Sequence, residues 1–119
     1  MKQIIDCPAE RAIYFLGGKW KIRIIFLLYQ NKEKRFGEIK KWLETITQQM
    51  LSKQLKELEI DGLINRKVYQ VVPPKVEYSL TEFGTSVIPI LKSFSDWNKK
   101  NSRIISSKLN KNFEESRIR

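Results

Sequence analysis

The chain has 119 residues, of which 41% are hydrophobic, so it is long enough for one domain with a modest core. Its 23 lysines and arginines against 13 acidic residues give a net charge of +10, which favours nucleic acid as a partner ahead of an anionic membrane surface. The absence of histidine and the single cysteine exclude zinc sites, Ser-His-Asp triads and Cys-His pairs within one chain, so we expect no enzyme, no metal and no cofactor.

Two helices are predicted in the first thirty residues. Pro8 suits the first turn of the first helix, because its missing N–H would be unpaired there, and Gly17-Gly18 ends that helix. Its apolar side consists of Ala12, Phe15 and Leu16. The second helix runs from about Lys19 to Gln30, with a buried stripe of Trp20, Ile24, Leu27 and Leu28. The basic residues that lie largely off this stripe are Lys19, Lys21 and Arg23.

The apolar segments are too short for a membrane protein. The densest run, residues 24–29, cannot span a bilayer, and the amino terminus has no secretory apolar segment. The single cysteine also agrees with a reducing compartment. We therefore expect a soluble cytoplasmic protein with no membrane partner.

A helix-turn-helix is predicted in residues 35–62. A very short strand at Arg35-Phe36 precedes a helix over residues 37–43, whose apolar residues are Ile39, Trp42 and Leu43. Residues 44–46 then turn the chain into a longer helix, which Thr47 caps and Gly62 ends. Two helices separated by about four residues form the helix-turn-helix arrangement.

The helix that begins at Thr47 has two contrasting faces. Leu51, Leu55 and Leu58 recur at helical spacing and must be buried. The opposite face carries hydrogen-bond donors and cations, namely Gln49, Ser52, Lys53 and Lys56. No acidic residue precedes Glu57 within this helix, so its positive amino end suits the edge of a DNA groove. An ordinary solvated amphipathic helix is the alternative.

A β-hairpin follows in residues 63–80. It is supported by a β-rich run up to Val72, by the break at Pro73-Pro74 and by clean alternation over residues 75–80. Its cations are Arg66, Lys67 and Lys75. They suit a wing that touches phosphates, whereas the alternative is a solvated hairpin whose lysines discourage edge pairing.

One long helix is predicted from Thr81 to about Lys100, and Pro89 inside it should either kink it or leave an early turn unpaired. Its apolar side consists of Val87, Leu91, Phe94 and Trp97. The tail, Lys99 to Arg119, has seven basic and two acidic residues, a net charge of +5, and helical spacing at Ile105, Leu109 and Phe113. The tail could contact DNA, a membrane surface or an acidic partner, but we favour a solubilising extension of a dimer helix.

The chain contains five fragments in a characteristic order. They are Cys7-Pro8 with Glu10-Arg11, Gly17-Gly18-Lys19-Trp20, Arg35 to Ile39, Met50 to Leu63, and Val72 to Gly84. Together they resemble the HxlR family of bacterial winged helix-turn-helix transcription regulators, distant relatives of the MarR type. The resemblance covers Cys7 to about Trp97. It implies a mainly α fold with a small β-hairpin, in which a three-helix core and a wing are flanked by amino- and carboxyl-terminal dimerisation helices.

The resemblance also implies the organisation and function of the whole chain. Residues 1–119 form a single winged-helix domain, with the first two helices at 8–30, the helix-turn-helix at 35–62, the wing at 63–80, and the dimerisation helices and basic tail at 81–119. The implied protein is a homodimeric repressor that binds a palindromic operator in double-stranded DNA. Family dimers form through the first and last helices, which here implies Ala12, Phe15 and Leu16 with Leu91, Phe94 and Trp97. Aromatic residues such as Phe94 and Trp97 could equally belong to the core of one chain.

We divide the polar residues of the DNA-binding region by role, as a hypothesis. The residues expected at base edges are Gln48, Gln49, Ser52 and Lys53, because glutamine can pair with adenine and lysine with guanine. The residues expected at the DNA backbone are Arg35, Thr47, Lys56, Arg66, Lys67 and Lys75.

Cys7 is the candidate for regulation by oxidants or electrophiles. It lies at a helix start, which favours a thiolate, whereas Asp6 and Glu10 oppose one. Some family members with a cysteine at this position respond to oxidants, quinones or aldehydes. With no second cysteine in the chain, Cys7 must pair with Cys7 of another subunit, be capped by a small thiol, or be alkylated. A half-buried packing residue is the alternative.

Two other interpretations stay open. In the first, the regulator responds to a small ligand in an apolar cleft between the DNA-binding region and the dimer helices, and Cys7 is purely structural. In the second, the winged helix is a protein interaction module whose basic tail binds an acidic partner. Loss of duplex binding with rising salt would support DNA, whereas no duplex binding at low salt would support the interaction module.

Overall fold

Seven helices and one two-stranded antiparallel sheet make up residues 7–118, the part of the chain that this computed structural model describes, with side chains for residues 7–111. The elements are α1 Pro8–Leu16, α2 Lys21–Gln30, α3 Phe36–Leu43, α4 Gln48–Ile60, β1 Ile64–Tyr69, β2 Lys75–Leu80, α5 Glu82–Thr85, α6 Ile88–Lys100 and α7 Ser102–Ile118. The chain divides into two compact units, one up to Ser86 and one from Val87 onward. The predicted mainly α fold with a small hairpin is confirmed.

The core of the first unit is aliphatic and comes from several elements. Its fully buried side chains are Ile24 and Ile25 of α2, Ile39 and Leu43 of α3, Leu51, Leu55 and Leu58 of α4, and Leu63 just before β1. Burying each such side chain is worth roughly 1.5–3 kcal/mol relative to leaving it in water. The apolar faces of α2, α3 and α4 therefore meet in one core, and this packing holds α3 and α4 in place.

The first two helices follow the prediction except at Lys21. Pro8 lies in the first turn of α1, and α2 begins at Lys21, two residues later than expected. Lys21 was predicted to lie off the apolar stripe, but it is only 8% exposed. That prediction is wrong because residues 21, 24, 25 and 28 fall on one helical face, and Lys21 shares this buried face with Ile24 and Ile25.

The short strand lies one residue earlier than predicted. Lys34, not Arg35-Phe36, forms a β-bridge with Tyr78, with N–H to carbonyl distances of 3.0 and 2.8 Å. Phe36 is instead the first residue of α3. The helix starts there because the backbone N–H of Arg35 donates a hydrogen bond to Glu38 Oε1 at 2.9 Å, which is half of a capping box.

The hairpin has the predicted form, with β1 and β2 antiparallel and in register. The paired residues are Ile64 with Leu80, Asn65 with Ser79, Arg66 with Tyr78, Lys67 with Glu77, Val68 with Val76 and Tyr69 with Lys75. Ile64 and Tyr78 are buried, whereas Val68 is half exposed. The base of the hairpin is therefore anchored in the core, and its far end extends into solvent.

The long helix predicted from Thr81 to Lys100 is two helices. The Thr81 hydroxyl accepts a hydrogen bond from the Gly84 N–H at 2.9 Å, but α5 ends at Thr85 and α6 begins at Ile88. Pro89 has no N–H with which to continue the first helix, and it occupies the first turn of α6, where no donor is needed. The prediction of one continuous helix is therefore wrong, and Pro89 lies in the first turn of a new helix rather than at a kink.

The predicted helical tail is present as α7, which follows α6 after Asn101. Of its expected apolar residues, Ile105 is half-buried and Leu109 is exposed, while the side chain of Phe113 lies outside the described residues. The described side chains of this helix therefore do not form a buried stripe within the chain.

Candidate nucleic-acid interface

Helix α4 has the two faces that its sequence predicts. Leu51, Leu55 and Leu58 are no more than 2% exposed. The exposed residues of the same helix include Gln48, Gln49, Ser52, Lys53 and Lys56. All the side chains assigned to base edges are therefore free to meet a partner in front of the helix.

The amino end of α4 is built to favour an anionic partner. The Thr47 hydroxyl accepts a hydrogen bond from the Met50 N–H at 3.1 Å, and its own proton remains available as a donor. No acidic residue lies in the first turn. The helix dipole and the unpaired backbone amides are thus left uncompensated at the end that carries Gln48 and Gln49.

The turn between α3 and α4 is held at its centre by Ile46, which is 2% exposed. Glu44, just after α3, has φ +61°, a left-handed conformation that is uncommon for a residue with a side chain. Together with the buried Leu43, these residues bend the chain sharply and seat it in the core. The end of α3 and the turn before α4 are thereby anchored in the same core.

Arg35, which was assigned to the DNA backbone, lies outside α4. Arg35 is exposed at the start of α3, and its positive charge contributes to lowering the pKa of Glu77 on β2. The β-bridge between Lys34 and Tyr78 brings Arg35 alongside Glu77. Lys34 Nζ lies 3.9 Å from Glu38 Oε2. Arg35 therefore belongs to the same surface as the odd-numbered residues of the hairpin.

The three cations of the hairpin do not share a face. Side chains alternate along each strand, so Lys67 and Lys75 lie on one face, opposite Glu77 and Tyr69 respectively. Arg66 pairs with the buried Tyr78 and lies on the other face. A flat partner laid on one face of the hairpin cannot meet all three cations.

Tyr69 organises the lysine-bearing face of the hairpin. The Nζ atoms of Lys67 and Lys75 each lie 4.8 Å from the centre of its ring, and Lys75 Nζ lies 3.4 Å from Glu77 Oε2. Hydrogen bonding from Tyr69, and then from Lys75, lowers the pKa of Glu77, so this carboxylate stays charged and offsets part of the Lys75 charge. Sequence reasoning missed Tyr69, although strict alternation along the strands would have placed it between the lysines.

A second basic and aromatic cluster lies at the start of α2. Lys19 Nζ is 4.7 Å and the Arg23 guanidinium carbon 5.3 Å from the centre of the Trp20 ring. Both cations are exposed, and both are placed by cation–π contact with a half-buried indole. Sequence reasoning assigned no function to this cluster; the spacing of Trp20 and Arg23 on one helical face was the available signal.

Cys7 is exposed and forms the amino-terminal cap position of α1, where its carbonyl accepts the Arg11 N–H at 3.1 Å. Its exposure argues against a half-buried packing role within its own chain. The thiol is therefore accessible to reagents in solution.

The residues assigned to a dimer interface differ in exposure. Ala12 is exposed and Phe15 is half-buried, its ring edge-on to that of Phe83 at 6.5 Å, while Leu16 is buried. In the second unit, Leu91 is buried, but Phe94 and Trp97 are 54% and 64% exposed. Further large apolar side chains left exposed are Ile13, Tyr14, Ile90, Ile104 and Leu109. Leu16 and Leu91 are therefore buried within the chain, whereas Ala12, Phe94 and Trp97 are exposed.

Two kinds of site are not found in the part of the chain that the structure describes. No group of three or more cysteine, aspartate or glutamate side chains there could hold a metal ion. None of the described helices is both long enough and apolar enough to cross a membrane.

Known proteins resemble the chain over most of its length. The profile of the HxlR-like helix-turn-helix family matches residues 15–106. BH0655 of Halalkalibacterium halodurans, described as an uncharacterized HTH-type transcriptional regulator, is 50% identical over 101 residues, which are 85% of this chain and 89% of that protein. The redox regulator HypR in its reduced form is 44% identical with a TM-score of 0.79, over 85% of this chain and 99% of HypR. The reduced form of the transcriptional regulator YodB from Bacillus subtilis is 37% identical with a TM-score of 0.73, over 81% and 94%.

Proposed function

This chain belongs to the HxlR-like helix-turn-helix family of DNA-binding transcription regulators, and from that premise we propose that it is a homodimeric repressor of a palindromic operator. The observation that carries the proposal is α4, which buries Leu51, Leu55 and Leu58 and exposes amides and cations on its other side. Such a helix fits the major groove, where glutamine and lysine can contact base edges. No catalytic role is proposed, and a regulator of chromosomal DNA acts in the cytoplasm.

The exposed polar residues divide into those that contact base edges and those that contact the DNA backbone. Gln48, Gln49, Ser52 and Lys53 read base edges, and the residues that hold the DNA backbone are Arg35, Thr47, Lys56, Arg66, Lys67 and Lys75. The opposite faces of Arg66 and Lys67 support a hairpin whose edge or tip, rather than a flat face, approaches the duplex. Lys75 contributes less than Lys67, because Glu77 offsets its charge.

Dimerisation places two copies of α4 on one duplex. A single module of this size buries too little DNA for tight specific binding, whereas a two-fold dimer spaces its reading helices roughly 34 Å apart, one duplex turn. The exposed Phe94 and Trp97, together with Ala12 and Phe15 on α1, support an apolar interface between copies. Sedimentation of the purified protein at micromolar concentration should give the mass of a dimer.

Binding-site selection followed by footprinting tests the proposed DNA function. The purified protein selects duplexes from a random pool, and nuclease protection is then mapped on both strands of a selected duplex. We expect two symmetric half-sites and an affinity that falls steeply as the salt concentration rises. Failure to bind any duplex at low salt would favour the protein interaction module instead.

Cys7 is the proposed point of control. The redox regulator HypR is similar to this chain over 99% of HypR and 85% of this chain. The Cys7 thiol is exposed. With diamide as the oxidant, two Cys7 thiols of different subunits lose two protons and two electrons to form a disulfide, and the diamide is reduced to its hydrazine. A quinone would instead alkylate the thiolate.

The response is tested by binding gels before and after treatment with peroxide, diamide or a quinone. We expect wild-type protein to release the selected duplex and the Cys7→Ser variant to retain it, with non-reducing gels and mass spectrometry identifying the adduct. A Cys7→Ser variant that still responds would favour a non-covalent small ligand as the effector.

A further inference from the structure

One ion pair joins α2 to α4. Lys21 Nζ lies 2.8 Å from Glu57 Oε1, and the two side chains are 10% and 39% exposed. Lys21 is the one charged residue that is buried in the part of the chain that the structure describes. Taking an ammonium group out of water costs several kcal/mol unless it is paired, so its position requires a partner with good geometry.

Glu57 also lies where its charge needs a partner. It is in the carboxyl half of α4, where the helix dipole disfavours an anion. Hydrogen bonding from Lys21 is the main cause that lowers the pKa of Glu57, and Lys53, one turn earlier, adds a smaller effect in the same direction. The carboxylate therefore stays ionised at neutral pH and holds the Lys21 ammonium.

The contacts that the leucines of α4 make differ in kind from the ion pair of Lys21 with Glu57. Apolar contacts are non-directional, and leucine faces tolerate small shifts with little loss of buried area. At the roughly 5–6 Å radius of a helix surface, a rotation of about 10° moves a side chain by about 1 Å. Hydrogen bonds to base edges tolerate only a few tenths of an ångström, so a directional contact on the buried side of α4 has a large effect on its exposed side.

We propose that Lys21 and Glu57 are positioning residues that set the rotation of α4 and thereby determine operator specificity without touching DNA. This inference rests on the proposed role of α4 in reading bases. An ion pair between packed helices can contribute conformational specificity even where it adds little stability, and here the specificity is that of the bound DNA sequence.

The ion pair lies at the edge of an opening in the protein surface. A cavity of about 370 Å³ opens beside it, lined by Tyr14, Ile60 and Asp61 as well as by the pair itself. Water can therefore reach whichever side chain remains when its partner is replaced. Glu57→Gln keeps the size of the side chain but removes the negative charge that holds the Lys21 ammonium, so it breaks the ion pair. Circular dichroism establishes that each variant is folded at the assay temperature.

The experiment compares Glu57→Gln with Glu59→Gln, a control on the same helix. Glu59 is exposed, and both substitutions raise the net charge by one, so they alter the general attraction to DNA equally. Affinity is measured for a duplex selected by the wild-type protein and for a random-sequence duplex. We expect Glu57→Gln to lower the ratio of the two affinities about tenfold, comparable to loss of one base contact, and Glu59→Gln to leave it unchanged.

A double substitution tests whether the two residues act as one unit. Lys21→Met should lower the ratio as Glu57→Gln does, and the variant with both changes should be no worse than either one. Equal ratios for Glu57→Gln and Glu59→Gln would overturn the inference.

The Gln49→Ala variant distinguishes failure of the positioning role of Lys21 and Glu57 from failure of the proposed base reading by α4. If Gln49→Ala lowers the ratio while Glu57→Gln does not, the positioning role fails and base reading by α4 stands. If neither change lowers the ratio, base reading by α4 fails as well.

Discussion

Helix α4 and the β-hairpin are both basic and exposed, yet they hold their charges in different ways. On α4, Gln49, Ser52 and Lys53 share one face, and the charged partner of the helix, Lys21, lies on the buried side. On the hairpin, Lys67 and Lys75 contact Tyr69 on one face, while Arg66 lies on the other. The comparison teaches that equally basic stretches are not equivalent binding surfaces, because periodicity and local pairing decide which charges a partner can reach.

The largest expected effect concerns how the hairpin is placed. A Cβ added at Gly84 would lie 2.0 Å from the carbonyl oxygen of Leu63 and 3.2 Å from Leu80 Cδ2, both at the base of the hairpin, where Ile64 pairs with Leu80. Alanine is ordinarily the better helix former by roughly 1 kcal/mol, but this clash is with backbone and outweighs that gain. We expect Gly84→Ala to lower the free energy of unfolding by about 1–3 kcal/mol or more, measured by urea denaturation.

Gly37→Ala is the matched control for that substitution. Gly37 is also helical, and a Cβ there meets nothing within 4 Å, so the variant should be as stable as the wild type or slightly more stable. Equal stability of the two variants would show that α5 does not hold the base of the hairpin.

The next largest effect distinguishes the residues that contact base edges from those that contact the DNA backbone. Gln49→Ala or Lys53→Ala should cost about 1–3 kcal/mol on a selected duplex and much less on random DNA, because each removes a base-edge contact. Competition binding at fixed salt measures both values. Equal losses on the two duplexes, for every one of these residues, would remove the proposed division of roles.

A smaller effect distinguishes the two lysines of the hairpin. Lys67→Ala should weaken binding to all duplexes alike and reduce the slope of log affinity against log salt by about 1. Lys75→Ala should change that slope less, since Glu77 already offsets its charge at 3.4 Å. A larger change for Lys75 would mean that DNA displaces Glu77 from this lysine.

The smallest effect is a dependence of stability on pH. The pKa of Glu77 is held below its ordinary value of 4.5 by hydrogen bonding from Tyr69 and then from Lys75. A carboxylate whose pKa is lower in the folded state stabilises the fold above its unfolded pKa, and this contribution is lost as pH falls through the folded value. Glu77→Gln should therefore flatten the decline of stability below about pH 4.5, as thermal unfolding at several pH values would show. An unchanged decline would mean that Glu77 is equally paired in the unfolded chain.

Contacts between residues distant in sequence explain where the predictions failed. The bridge from Lys34 to Tyr78 and the ion pair from Lys21 to Glu57 each join residues more than thirty positions apart. Local spacing placed Lys21 on the side of α2 next to Ile24 and Ile25, but a lysine is assigned to a core only when its carboxylate partner is known. Pro89 is different, since its effect is local, and a proline is compatible both with a kink inside one helix and with the first turn of a new one.

The sequence by itself determined the local spacing of apolar and polar residues along each helix and strand. The leucine spacing of α4, the Thr47 cap and the alternation of the hairpin are each set by backbone geometry within a few residues, so both faces of α4 could be predicted. The tertiary structure alone decided which residues of the two strands face each other, the bridge from Lys34 to Tyr78, and the pairing of a buried lysine with α4. These depend on which distant segments meet in the core, and that is decided by packing of the whole unit rather than by any local period.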